Sequence, residues 1–284
     1  MYRVSKVLNN NGVIAIDMDE NKEYVILGKG VGFGKKVSQR FDKPEGCTTY
    51  RLEQETERGS AKELVKGIEP EYLEIADAIL TESQKVFGDS IDRGILFPLA
   101  DHISFAVARI RRNEQISNPL TEDIKVLFYS EFKVAETLKT ILRERLQIEI
   151  DDHEVGYVAL HIHSAIGDEK VSVAMQTARA VRECIDMIEK ATGKPIDVLS
   201  LSYNRLMNHM KYMVARASTG EKLNLDMNEY MLDQYPQAYK VATDICKNLE
   251  GCIGHKLDET ETGYLAMHCL LYTSPSPRDM RRSR

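Results

Sequence analysis

Apolar and polar residues alternate over the first 55 positions, in short runs that turn residues separate. Alternating runs rich in β-branched and aromatic residues are typical of half-buried strands. An Asn-Gly pair at positions 11 and 12 lies between two such runs and is a strong hairpin signal. The pattern predicts an N-terminal β-domain with strands at 3–8, 13–17, 23–27 and 48–52.

The spacing of the apolar residues becomes helical from about Ser60 onward. Ser60 is a candidate N-cap, and Glu69-Pro70 predicts the start of a second helix because proline is favoured in a first turn. Further breaks are predicted at Gly88-Asp89, Asn118-Pro119, 167–170, Gly193-Lys194-Pro195 and Ser218-Thr219-Gly220. The break at 167–170 is the predicted boundary between two helical domains.

The helical part contains an internal repeat with a constant offset of 107 residues. The aligned blocks are HISFAVAR (102–109) with HMKYMVAR (209–216), EVGYVALH (154–161) with ETGYLAMH (261–268), and 132–135 with 239–242. Three blocks that agree on one offset indicate duplication rather than chance. The sequence thus predicts a multidomain protein, with a small all-β N-terminal domain followed by two duplicated all-α helical-bundle domains.

Charge is distributed unevenly over the 284 residues, whose formal net charge is −6. Residues 1–53 carry nine Lys or Arg against seven Asp or Glu, whereas the remainder carries 29 against 37. This balance argues against nonspecific nucleic-acid binding by the whole chain. Any contact with nucleic acid is expected at the N-terminus.

The composition disfavours membrane or secreted proteins, and it disfavours proteins built around disulfides or metal sites. No apolar run approaches the roughly 20 residues that cross a bilayer, and the N-terminus has no apolar signal core, so we expect a cytoplasmic protein without membrane insertion. The five cysteines are scattered and lack CxxC spacing. They indicate neither a disulfide framework nor a metal site.

Each helical repeat carries two histidines, 59 residues apart, at equivalent positions. These are His102 and His161 in the first repeat and His209 and His268 in the second. A single helix histidine is more often structural, but recurrence at four equivalent positions favours a shared functional role, with a duplicated structural role left open. A histidine that accepts a phosphoryl group needs one nucleophilic ring nitrogen while the other is oriented by a carboxylate or carbonyl. Asp101 is a candidate for that carboxylate, although adjacent helix residues do not face one another.

Two Asp-x-x-Glu pairs resemble capping boxes at the starts of helices. The pairs are Asp151 with Glu154 and Asp258 with Glu261. As caps they are structural, and they place each later histidine about two turns into its helix. Tyr157 and Tyr264 then lie four residues before those histidines on the same helix face.

The N-terminal domain contains a basic glycine-rich segment, GKGVGFGKK, at 28–36. Its glycines allow close approach to a phosphate backbone, Phe33 can stack on an unpaired base, and the lysines can release counterions. No helical pattern follows it, so a dinucleotide-binding fold is not indicated. On residue type alone, a glycine-rich hairpin with a solvated basic edge explains the segment equally well.

From its first residue to His268 the chain resembles the BglG/LicT-type transcriptional antiterminators. The resemblance rests on SKVLNNN (5–11), GKGVGF (28–33) and the two helical repeats. It implies a dimeric co-antiterminator domain at 1–56, which binds a hairpin in nascent mRNA and prevents a terminator from forming in a sugar-utilisation operon. The RNA contacts that the resemblance implies are Lys6, Asn10, Asn11, Gly28, Lys29, Gly30 and Phe33.

The repeats are similar to the phosphotransferase regulation domains of the same family, here at 62–168 and 171–268. The resemblance implies phosphorylation of His102, His161, His209 and His268. It also implies two partners, a sugar permease that phosphorylates the first domain to inhibit and the histidine phosphocarrier protein that phosphorylates the second to activate. We expect a homodimer whose packing responds to the added charge, with no enzymatic activity and no cofactor.

The C-terminal stretch departs from the repeat. CLLYTSPSPRD, at 269–279, resembles the translation of a common transposase-type sequencing adapter. We therefore expect 269–284 to be read-through, and the natural protein to continue differently after His268. His153, His163 and His255 have no counterpart under the 107-residue shift, and no role is assigned to them.

Two other functions remain open at this point. One is a DNA-binding activator with the same regulatory domains, which the β-rich N-terminus disfavours. The other is a helical phosphotransfer enzyme, which is disfavoured because the sequence offers neither a Walker-type loop nor an acidic metal cluster.

Overall fold

The structure, a computed structural model, describes residues 1–53, 55–56, 59–114, 116–167, 170–198 and 200–273. Most of the predicted tail, at 274–284, and the middle of the predicted break at 167–170 lie outside these residues. The chain divides into two compact units. The first comprises Met1–Asn118 and Ser130–Val171, and the second comprises Pro119–Tyr129 and the chain from Ser172 onward.

The N-terminal region forms an antiparallel sheet, as the alternating pattern predicts. Its strands are β1 (Tyr2–Asn9), β2 (Gly12–Asp17), β3 (Glu23–Leu27), β4 (Arg40–Phe41) and β5 (Thr48–Arg51). The order across the sheet is β4-β1-β2-β3-β5. The four predicted strands are confirmed, whereas β4 and the small pair β6 (Glu55–Thr56) and β7 (Gly59–Ser60) are not predicted, because two-residue strands carry no periodicity.

The predicted hairpin joins β1 to β2, with Asn9 opposite Gly12. The Asn9 side-chain oxygen accepts a 2.8 Å hydrogen bond from the Asn11 backbone N–H, which closes the turn locally. Alternate side chains of the sheet point to one core together with a residue of the glycine-rich segment. That core contains Val4, Val13, Ala15, Ile26, Val31, Phe41 and Cys47.

The rest of the described chain is helical, apart from connecting loops and short 3-10 turns at Gly88–Ser90 and Arg93–Ile95. The helices are α1 (Ala61–Gly67), α2 (Pro70–Phe87), α3 (Leu96–Arg111), α4 (Thr121–Leu127), α5 (Tyr129–Ala135), α6 (Thr137–Leu146), α7 (Asp152–Gly167), α8 (Val171–Thr192), α9 (Leu201–Thr219), α10 (Asn228–Gln234), α11 (Pro236–Ile253) and α12 (Thr260–Thr273). The predicted helix starts after Ser60 and at Pro70 are confirmed. No helix within these described residues combines the length and the apolar character that a membrane span requires.

In the first unit, the sheet is tied to helical elements by a polar cluster. The Tyr50 hydroxyl donates to Asp77 on α2. The Arg93 guanidinium in turn donates to the Tyr50 oxygen at 2.8 Å and to the Asp77 carboxylate at 2.9 Å. These contacts hold the end of the sheet against α2 and the Arg93–Ile95 turn. Helix α2 packs on α3, and α3 packs on α7.

In the second unit, α9 and α11 both pack on α12. Helix α4 belongs to this unit although it precedes α5 in the chain, and it packs on α9. The fully buried Tyr203 of α9 donates a 2.8 Å hydrogen bond to the buried Asp123 carboxylate of α4. The second unit is therefore assembled from two separate stretches of the sequence.

Candidate nucleic-acid interface and paired histidine sites

The glycine-rich segment folds as consecutive tight turns. The Phe33 N–H donates to the Gly30 oxygen at 3.0 Å, and the Lys35 N–H donates to the Gly32 oxygen at 3.1 Å. Gly30 has a φ of 74°, in the left-handed region that glycine adopts at little cost. The turns bring the backbone round so that the Phe33 side chain points outward.

The segment is docked on the hairpin turn of β1 and β2. The Gly28 N–H donates to the Asn11 oxygen at 2.9 Å, and the Gly32 N–H donates to the Asn10 oxygen at 3.0 Å. A Cβ on Gly32 would lie only 2.0 Å from the Asn9 backbone oxygen, so no side chain fits there. The two motifs that the sequence singled out thus form one continuous surface.

Asn11 links this surface to helix α2. Its side-chain oxygen accepts a 3.0 Å hydrogen bond from the Gly30 N–H, and its side-chain nitrogen donates to Glu74 at 3.1 Å. Asn9 donates to the other Glu74 oxygen at 2.7 Å. Both ends of the Asn11 amide are therefore engaged within the protein, and they position the loop.

The exposed part of the surface is aromatic and basic. The Phe33 side chain is 74% exposed, an unusual state for a large apolar ring. Asn10 and Lys29 are exposed beside it, and Lys6 is exposed further back on β1. Such a surface can stack on an unpaired base while nearby ammonium groups neutralise phosphates.

The predicted histidines meet in pairs, one pair in each unit. In the first unit, His102 of α3 and His161 of α7 are both buried, with ring centroids 5.3 Å apart. The Tyr157 ring lies 5.7 Å from the His102 ring, as its place one turn before His161 predicts. The spacing read from the repeat thus produces a compact site.

A glutamate completes the first pair. One Glu154 oxygen accepts a 2.8 Å hydrogen bond from Arg109. The other oxygen lies 3.4 Å from His102 Nε2, a close approach without hydrogen-bond alignment. Burial raises the pKa of Glu154, but His102 and Arg109 lower it by more, so the pKa lies below its usual value and the carboxylate is ionised.

The second unit repeats this arrangement residue for residue. The rings of His209 and His268 are 4.8 Å apart, and Tyr264 stacks 6.3 Å from His209. Arg216 donates to the two Glu261 oxygens at 2.6 and 2.9 Å. The distance from Glu261 to His209 Nε2 is 3.8 Å.

The capping-box interpretation is half wrong. Asp151 does accept a 3.1 Å hydrogen bond from the Glu154 N–H, as a cap should. The Glu154 side chain, however, turns away from the helix start toward Arg109 and His102. The structure therefore places the Glu154 carboxylate against His102.

Burial keeps the histidines of the second pair neutral. Desolvation lowers the pKa of His209 to about 3, with smaller contributions from His268 and from the positive charge of Arg216. Desolvation and then Arg205 lower the pKa of His268. A neutral imidazole keeps a lone pair on one ring nitrogen, which is the form that can attack phosphorus.

Sequence reasoning missed the Arg-Glu pairs, although the signal was present. Arg109 with Arg216, and Glu154 with Glu261, occupy the same aligned blocks as the histidines. The three histidines without a role lie elsewhere. His153 accepts from the Asn118 N–H at 3.3 Å, His163 contacts Glu131 at 3.0 Å, and His255 is exposed.

The N-terminal region and the two helical repeats each match a known protein family. Residues 2–59 match the CAT RNA binding domain, and residues 77–165 and 182–271 each match the PRD domain. The chain belongs to the PRD family of transcription antiterminators. The matched ranges contain the N-terminal sheet with its Phe33 loop and both histidine pairs.

The known proteins that this PRD antiterminator resembles are regulators. The GlcA/glcB genes antiterminator of Staphylococcus carnosus is 29% identical over 98% of both chains. The transcription antiterminator LicT of Bacillus subtilis is 26% identical over 94% of this chain and 97% of its own. A crystal structure of GlcT CAT-PRDI is 29% identical and superposes with a TM-score of 0.51, covering 58% of this chain and 98% of that one.

These comparisons confirm the predicted family, fold class and antiterminator function. They do not support the DNA-binding activator or the phosphotransfer enzyme. The individual RNA-contact and phosphorylation residues stay predictions.

Proposed function

We propose that this PRD antiterminator binds a hairpin in nascent mRNA and prevents a terminator from forming in a sugar-utilisation operon. The observation that carries the proposal is the exposed Phe33 ring on a basic surface within the CAT RNA-binding domain. A ring exposed in this way is stabilised when it stacks on a base that is not paired. Hairpins with internal loops offer such bases, and they arise in RNA as it is transcribed in the cytoplasm.

Residues of the proposed RNA surface divide by role. Phe33 would stack, Lys6 and Lys29 would approach phosphates, and Asn10 would offer hydrogen-bonding groups. The others would act mainly through the backbone or by shaping the loop. These are Asn11, Gly28 and Gly30.

We further propose that the four paired histidines receive phosphoryl groups from the sugar phosphotransferase system. The supporting observations are the pairing of the rings and the neutral state of the second pair. The sugar permease would act on His102 and His161 to inhibit, and the histidine phosphocarrier protein on His209 and His268 to activate. Each phosphate adds nearly two negative charges beside a buried glutamate, enough to repack a domain interface.

The proposed organisation is a homodimer with a CAT domain at 1–56 and regulation domains at 62–168 and 171–268. A sheet of this size buries little core by itself, so pairing of two CAT domains would stabilise it. Dimerisation would also place two Phe33 loops on one RNA.

Binding of RNA by the full chain tests the first proposal. We would compare wild type, Phe33→Ala and Tyr230→Ala on a hairpin with an internal loop and on duplex DNA, across a salt series. Tyr230 is also an exposed aromatic, but it lies on α10, and its replacement controls for the loss of a surface ring. Loss of stacking should weaken RNA binding by Phe33→Ala about tenfold or more, with wild-type affinity retained in Tyr230→Ala.

Either of two results would contradict the proposal. One is equal affinity for the RNA hairpin and duplex DNA, in both the untreated protein and the protein treated with phosphorylated phosphocarrier. The other is wild-type RNA affinity in Phe33→Ala.

A further inference from the structure

In each paired histidine the protein encloses at least one ring nitrogen, so that no phosphoryl donor can reach that atom. In His102 and in His209, the first histidine of each pair, the buried nitrogen is Nε2. In His161 and in His268, the second of each pair, it is Nδ1. This switch, from a buried Nε2 in the first histidine to a buried Nδ1 in the second, occurs in both units.

The first histidine of each pair has a carboxylate on its buried side. Glu154 lies 3.4 Å from His102 Nε2, and Glu261 lies 3.8 Å from His209 Nε2. A carboxylate in this position favours the tautomer that carries its proton on Nε2, because only that tautomer can donate toward the oxygen. The lone pair is then on Nδ1.

We propose that the two histidines of each pair accept phosphoryl groups at opposite ring nitrogens, and that the facing glutamate positions the first of them. This inference rests on the proposed phosphorylation and deepens it to individual atoms. The acceptor atoms are Nδ1 of His102 and His209 and Nε2 of His161 and His268.

The transfer balances without any other reactant. The Nδ1 lone pair of neutral His209 attacks phosphorus, and the phosphorus–nitrogen bond of the donor breaks with its electron pair returning to the donor nitrogen. The His209 ring keeps its Nε2 proton and gains positive charge. Glu261 Oε2 lies 3.8 Å from Nε2, and Arg216 fixes that carboxylate by donating to both of its oxygens. Charge developing on the ring is therefore met by a fixed negative group.

Burial supports Nε2 as the acceptor atom in the second histidine of each pair. The Nδ1 atom of His268 is enclosed by the protein, so a donor can reach the ring only from the Nε2 side. The lowered pKa values of His209 and His268 keep both rings neutral near pH 7. Each neutral ring then carries one lone pair that can attack phosphorus.

The experiment determines the phosphohistidine isomer at each position of the full-length wild-type chain. Samples are labelled with phosphoramidate, whose P–N bond breaks as ammonia leaves, and in parallel with phosphorylated histidine phosphocarrier protein. Trypsin separates the four acceptors at alkaline pH; cleavage after Arg205 and Lys211, for example, isolates His209. Phosphorus NMR and isomer-specific antibodies then identify the labelled nitrogen.

The expected result is the Nδ1 isomer at His102 and His209 and the Nε2 isomer at His161 and His268. The same isomer at both members of a pair would overturn the inference, as would a lack of labelling by phosphoramidate. If phosphoramidate gives the expected isomers and the phosphocarrier gives no label, the inference stands. In that case the proposed donor is wrong.

A variant tests the glutamate separately. Glu261→Gln removes the negative charge opposite His209 Nε2, and Glu259→Gln, at an exposed position of the same region, is the matched control. We expect labelling of His209 to slow about tenfold in Glu261→Gln, since a charge-assisted contact is lost, and its Nδ1 selectivity to fall. Glu259→Gln should behave as wild type.

His268 in the same molecule provides the internal reference. If Glu261→Gln merely loosened the fold, labelling of His209 and His268 would change together and the isomer ratio at His209 would not shift. That outcome, or an unchanged His209 rate, would remove the positioning role from Glu261.

Discussion

The ion pair between Arg216 and Glu261 offers the most direct comparison of the two PRD sites. Arg216 makes two hydrogen bonds to a carboxylate that is only 1% exposed, and its own side chain is 15% exposed. In the Arg216→Gln variant this carboxylate would stay buried without its guanidinium partner. A buried charge that loses its partner is strongly destabilising, because water cannot replace the lost hydrogen bonds.

The magnitude follows from burial and from the number of bonds. Breaking a buried pair by removing one partner costs about 3–5 kcal/mol. Arg109 makes one 2.8 Å bond to Glu154 and is 25% exposed, so water reaches it more easily and Arg109→Gln should cost about 1–3 kcal/mol. For Arg216→Gln the melting temperature should fall by roughly 6–20 °C.

Thermal and urea unfolding of the full chain, followed by circular dichroism, would measure both variants. Arg112→Gln is the control, because Arg112 is exposed and its pair with Glu114 is worth less than about 0.5 kcal/mol. Replacing Arg216 and Glu261 together by glutamine should restore much of the lost stability. The reasoning would be refuted if Arg216→Gln were no more destabilising than Arg109→Gln, or if the double replacement were additive.

Three further predictions concern stability. The folded-state pKa of His209, about 3, lies below its ordinary 6.5. The unfolded chain therefore binds the proton first as pH falls, and stability that is full above pH 6.5 decreases toward pH 3. Between pH 8 and pH 5 the free energy of unfolding should drop by about 2 kcal/mol, and this contribution should be missing in His209→Gln. Gly32→Ala places a Cβ 2.0 Å from a backbone oxygen, whereas a Cβ on Gly30 meets open space. In urea unfolding, Gly30→Ala should lower the free energy of unfolding by only about 1–2 kcal/mol of backbone strain, and Gly32→Ala should lower it several-fold more. Similar losses in the two variants would contradict the geometry. Tyr203→Phe removes the donor to the buried Asp123 carboxylate and should lower the free energy of unfolding by about 1–3 kcal/mol, and a neutral result would show that the bond is dispensable.

The parts of the fold that sequence predicted are those encoded by neighbouring residues. The hairpin at Asn11-Gly12 and the helix start at Pro70 depend on local backbone preferences, and both are found. Strand β4 was not predicted, because Arg40–Phe41 is too short to show an alternating pattern. It forms by pairing with Tyr2 and Arg3. The grouping of α4 with the second unit likewise depends on packing between distant segments.

The same distinction applies to the histidine sites. The repeat located all four histidines, because duplication leaves a signal in the sequence itself. Glu154 was misinterpreted because Asp-x-x-Glu has the same spacing whether the glutamate caps a helix or reaches across the site. The hydrogen bond from Arg109, 45 residues away, draws the Glu154 side chain across the site rather than back to the helix start. For Asn11, contact with Glu74, 63 residues away, was likewise not visible locally.

Helix α4 also determines how the protein can be divided for complementation experiments. A piece that begins at Ser172 contains Tyr203 but lacks Asp123, so the phenol hydroxyl would lose its acceptor in a fully buried position. Such a piece would gain stability from a synthetic peptide that supplies residues 119–129 in trans. The second unit can therefore be turned into a split reporter in which peptide binding is read out as folding.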